Sequence, residues 1–177
     1  MVGRGYRPAS ETGVDMVFWF PVLAWVLALI FTAFAVARAE GPRTFSFMAD
    51  RLLADILLFP VGLMGLWAAL GHIVFPAQAA ASIGWAPSPF QFEVGVANLG
   101  IGLAGLVGVV YRDWGYRLAV AVMTCGFLGG AAVGHVVQIL TTDNLAAGNA
   151  GPILYTDVLT PLSLFILLAA TWRSARD

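Results

Sequence analysis

Two histidines and two carboxylates stand out in a chain of 177 residues of which only 11% are charged: His72, Glu93, His135 and Asp157. Imidazole changes charge near neutral pH and ligates metals, and a carboxylate can pair with it, exchange its proton or share a metal with it. The two histidines occupy matching heptapeptides, Ala68-Ala-Leu-Gly-His-Ile-Val and Ala131-Ala-Val-Gly-His-Val-Val, offset by 63 residues. Each is followed by an acid at nearly the same interval, 21 residues to Glu93 and 22 to Asp157. Gln138 lies three residues after His135 on the same helical face, and Asn98 follows Glu93.

Three chemistries suit this set. The groups can hydrogen-bond between helices and fix a bundle. They can exchange protons as part of an ion or solute pathway. They can hold a divalent metal, or a haem between two axial imidazoles. On the third reading His72 and His135 are the cofactor-binding residues, with Glu93, Asn98, Gln138 and Asp157 as the polar pocket around them. Neither histidine has a local ligand spacing such as His-x-x-x-His. Nucleophilic catalysis has little to stand on. Cys125 lies ten residues before His135, about 15 Å along one helix, and the chain has no phosphate loop or serine elbow.

The elements that position these residues are membrane spans. The chain is 60% hydrophobic with a mean hydropathy of +0.86, against about 25% charged residues in soluble domains. A net charge of −1 argues against nucleic acid as a partner. Five apolar runs are long enough to cross a bilayer as helices: Met16 to Ala37, Leu52 to Phe75, Phe90 to Tyr111, Leu118 to Leu140 and Pro152 to Trp172. The fold class is therefore an all-α polytopic bundle. Residues 1–51 form a polar tail, the first span and a charged loop from Arg38 to Arg51; residues 52–177 form a four-helix bundle. Ala37-Arg38-Ala39 imitates a signal-cleavage site, but the run before it exceeds a signal core of about 7–15 residues.

Within the spans, Pro60 and Pro161 predict kinks. Ala77 to Ile83 reads as a short surface helix closed by Gly84. Gly95, Gly100, Gly102, Gly105 and Gly108 predict close packing in the third span. Gly126, Gly130 and Gly134 fall four apart, so they predict a face where a neighbouring helix approaches the fourth span. Arg112 to Arg117 and Thr141 to Gly151 are read as loops. Arg38, Arg43, Arg51, Arg112, Arg117, Arg173 and Arg176 lie on one side against Arg4 and Arg7 on the other, which predicts an outside N-terminus and a cytoplasmic C-terminus. The heptapeptide match predicts a parallel repeat of spans two plus three and four plus five. At 1.5 Å per residue, all four ionisable groups then fall within about 5–10 Å of the outer surface, facing one pocket.

Gly-His at the end of one span, and Glu93-x-x-x-Ala97-Asn98-Leu99-Gly100 early in the next, resemble a family of small bacterial membrane proteins similar in outline to the DoxX-like four-helix membrane proteins. The resemblance covers residues 52–172. It implies a four-helix bundle with one added N-terminal span, and no activity. The resulting expectation is a bacterial inner-membrane protein, an accessory or interaction subunit with an outward-facing polar pocket and other membrane subunits as partners. A His/carboxylate redox, metal or haem protein and a proton-linked small-solute transporter are the alternatives.

Overall fold

The computed structural model describes residues 11–172, with side chains from residue 17 onward; most of the polar tail and Arg173 and Arg176 lie outside the described residues. The described residues are helical, joined by short turns. Five helices are long and apolar enough to cross a membrane. In chain order these are α1 (Glu11–Ala37); α2 (Phe45–Ile56), continued through a π-helical segment (Leu57–Leu63) into α3 (Met64–Val74); α5 (Phe90–Val110); α6 (Trp114–Thr142); and α8 (Pro152–Thr171). Two short helices, α4 (Pro76–Ile83) and α7 (Ala147–Ala150), cap one end of the bundle. α3 packs chiefly on α5, and α6 on α8. α1 packs along α2, the π segment and α8, and its Ala24 and Ala28 enter the core. Phe18, Leu29, Phe92, Leu103, Val122, Val133, Leu162 and Ile166 remain exposed, as an apolar exterior against lipid requires.

Two span boundaries differ from the sequence reading. The second span begins at Phe45, not Leu52. Thr44 is its N-cap, its hydroxyl accepting from the Phe47 N–H at 3.2 Å. The charges that suggested a loop are neutralised in place: Arg51 lies one turn before Asp55 and pairs with it at 2.6 Å. The fourth span likewise begins at Trp114, capped by Asp113, whose carboxylate accepts from the Tyr116 N–H at 2.7 Å. Arg117 is therefore a buried residue of its first turn rather than a loop residue.

Pro60 has no N–H to give the preceding turn. The predicted kink takes the form of the seven-residue π segment around it, while α8 continues as one helix through Pro161. α4 ends as expected. Gly84 adopts φ 81°, and the Trp85 N–H returns to the Ala80 carbonyl at 2.8 Å, a closure only a residue without Cβ makes easily.

Glycine packing is the larger correction. Gly65 and Gly102 bring the second and third spans into backbone contact: a Cβ on Gly65 would lie 2.8 Å from the Gly102 Cα, and one on Gly102 would lie 2.9 Å from the Gly62 carbonyl. Gly95, Gly105 and Gly108 also meet neighbours, as predicted for that span, whereas Gly100 does not. On α6, Gly126, Gly130 and Gly134 have nothing within 4 Å of a would-be Cβ. The fourth span meets α8 through a different face, carrying Val120, Ala121, Thr124, Ala132 and His135, all buried.

Candidate functional site

His135 is buried, 7% exposed, near the α7 end of α6. Its Nδ1 is 2.7 Å from Oδ1 of Asn149, which is fully buried. The Asn149 amide nitrogen donates to the Asn144 carbonyl at 2.8 Å and to the His135 carbonyl at 3.4 Å. With its nitrogen so engaged, Asn149 presents its oxygen, which only accepts, so His135 Nδ1 carries a proton. The other ring nitrogen, Nε2, faces Asp157 Oδ2 at 3.7 Å. Asp157 is itself only 3% exposed. Two lone pairs facing each other in a buried site repel, whereas one proton between them leaves the pair with no net charge. Whether written as imidazolium–carboxylate or imidazole–carboxylic acid, that state avoids an unpaired buried charge. Asn149, His135 and Asp157 thus line up as an amide, an imidazole and a carboxyl, the first two hydrogen-bonded and the last two facing each other at 3.7 Å.

His72 ends the second span in a parallel way. Its Nδ1 bonds to Oε1 of Gln91, in the first turn of the next span, and Gln91 is 3% exposed. The anticipated acid, Glu93, is exposed two residues further on. Each histidine therefore has its own buried amide partner, and the hydrogen bonds form two His–amide pairs where one pocket was expected. Gly95 permits the first pair, since a Cβ there would sit 3.1 Å from the His72 Cβ. Gln138 is half-buried, accepts from Asn144 Nδ2 at 3.0 Å, and lines an open pocket with Trp85, Thr142 and Asn144.

Asn98 and Asp157 meet elsewhere. They line a cavity of about 50 Å³ in the middle of the bundle, with Trp25, Thr124, Thr156 and Thr160 as the other polar groups. Below it the bundle turns apolar. On α6 the next inward-facing residues after Thr124 are Ala121 and Val120, and on α8 Thr160 is followed by Leu164, all buried. Beyond this layer lies an ionic end. Asp55, 1% exposed, accepts from Arg51 and from the Thr32 hydroxyl at 2.8 Å. Asp50 accepts from Arg112 at 3.0 Å and from Arg117 at 2.7 Å, and Arg117 Nε donates to the Gly108 carbonyl at 2.9 Å.

Gln91 and Asn149 were not singled out from the sequence as partners. Gln91 sits where the next span begins, and Asn149 lies in a stretch of small residues; neither setting distinguishes a buried amide from a surface one. Among the described residues no three His, Cys, Asp or Glu side chains gather as a metal site. His135 with Asp157 supplies two such ligands, where a structural zinc takes about four and a catalytic one about three.

The model of DUF6790, described as a family of unknown function, matches residues 18–177. No curated protein and no solved structure matches the chain.

Proposed function

We infer that this chain, which belongs to the DUF6790 family of unknown function, is a small accessory subunit of a membrane complex with a proton-binding site in the half of the bundle capped by α4 and α7. The carrying observation is His135 Nε2 facing Asp157 Oδ2 at 3.7 Å, with His135 Nδ1 fixed by Asn149. The accessory role draws on the vacant Gly126, Gly130 and Gly134 face of α6, which suits a transmembrane helix from another subunit. The apolar layer below the cavity weighs against a continuous solute path, and the sparse ligand set weighs against a metal centre. From the DoxX-like outline we carry over the bundle and no activity.

The proton site is tested by following the ring nitrogens of His72 and His135 by NMR across pH in lipid nanodiscs. Asp157→Asn is expected to move the titration of His135 and leave that of His72 in place. A His135 curve unchanged by Asp157→Asn would remove the shared proton and the function built on it.

We place the protein in a bacterial inner membrane with the capped half outside and the arginine-rich end in the cytoplasm. The arginine bias supports this orientation. A reporter active only in the cytoplasm should work when fused to the C-terminus and stay silent when inserted in 143–146; the reverse result inverts the orientation.

A further inference from the structure

Two residues beside the central cavity carry buried polar atoms that have no partner among the described residues. Thr124 is fully buried and its hydroxyl has no hydrogen-bond partner among the described residues; the indole N–H of Trp25 is buried and likewise unpartnered. Both residues line the cavity that Asp157 and Asn98 also reach. Orphaned buried polar groups of this kind mark a bound water or ion. The chemistry of the two groups chooses between them. An indole N–H only donates, so the occupant beside Trp25 must accept, which excludes a bare cation, and an anion there would share the cavity with the Asp157 carboxyl. Water accepts from Trp25 and still donates to Thr124 or to a carboxylate.

Size agrees. A water needs about 10–15 Å³ measured this way and two to four polar partners. A cavity of about 50 Å³ therefore admits a few waters, and falls well short of the roughly 300 Å³ at which pockets for organic ligands begin. We propose that the middle of the bundle holds a small water cluster bound by Thr124, Trp25 and Asp157, which extends the His135–Asp157 site inward and ends at the layer of Val120, Ala121 and Leu164. The cluster would give the Asp157 carboxyl a hydrogen-bonded neighbour on the side away from His135. Its part in proton exchange rests on the proton-binding reading above; its existence does not.

The test is NMR of indole-labelled full-length protein in nanodiscs, with the Trp25 signal assigned by its loss in Trp25→Phe. A cross-peak from water to the Trp25 indole N–H is expected in the wild type. It should be lost in Thr124→Val, which keeps the shape and removes the hydroxyl, and kept in Thr124→Ser. Absence of the cross-peak in folded wild type would overturn the proposal, and so would its persistence in Thr124→Val. Because the wild-type signal alone can refute the water site, the test survives a variant that fails to fold. The histidine titration in the same samples separates the two readings. A dry Trp25 beside a coupled His135 removes the water cluster alone, whereas a wet Trp25 beside an uncoupled His135 keeps the cluster and removes the proton site.

Discussion

Arg51→Ala should destabilise the bundle by about 3 kcal/mol, the lower end of the cost of removing one member of a buried ion pair, because Asp55 is buried while the Arg51 side chain is 28% exposed. Asp55 is 1% exposed, and Arg51 reaches it through both Nε, at 3.0 Å, and Nη2, at 2.6 Å. Without Arg51 the carboxylate keeps, among the described residues, only the Thr32 hydroxyl at 2.8 Å. The loss comes from stranding a charge, so the double replacement Arg51→Met with Asp55→Leu should recover most of it, apolar substitutes for buried pairs being often neutral or stabilising. Reversible unfolding in mixed micelles measures both. A loss below about 1 kcal/mol, the range of exposed pairs, would mean that Asp55 reaches water and the ionic end is a surface feature.

Two glycine substitutions should behave oppositely. Gly102→Val inserts a branched side chain where a single Cβ already meets the Gly62 carbonyl at 2.9 Å and the Leu66 nitrogen at 3.0 Å. Both obstacles are backbone, so the third span must separate from the second. Overpacking costs typically about 1–3 kcal/mol, and a backbone obstacle places this variant at the upper end. Gly130→Leu meets nothing within 4 Å, so the isolated protein should keep its unfolding midpoint. If the face receives another subunit, the same variant should fail to co-purify with the complex from native membranes. An unfolding midpoint lowered as far by Gly130→Leu as by Gly102→Val would show that α6 presents its glycines to its own bundle after all.

The bundle is divided by depth into an amide–histidine–carboxyl half, an apolar layer and an arginine–aspartate end. The two polar parts keep their polar groups inside in different ways. At the ionic end opposite charges meet directly, Arg51 on Asp55 and Arg112 and Arg117 on Asp50. In the other half, neutral amides fix the imidazoles, and one carboxyl is left facing a ring nitrogen and a cavity.

The sequence by itself determined the five spans and the short helix closed by Gly84, and it marked His135 and Asp157 as groups that need partners. These follow from local physics: uncharged runs long enough for a bilayer, a glycine where the chain turns left-handed, and ionisable groups too costly to face lipid. Tertiary structure alone decided the rest. Arg51 and Arg117 looked like loop residues because hydropathy counts each charge singly, and only their pairing with Asp55 and Asp50 lets them join helices. Glycines four apart share a helix face in any sequence, but which face is used depends on the partner's backbone, and here the contact went to Gly65 and Gly102 and not to Gly130. Gln91 and Asn149 displaced Glu93 and joined Asp157 as histidine partners because a neutral amide can be buried against an imidazole without stranding a charge. That difference in burial cost is realised only once the helices are packed.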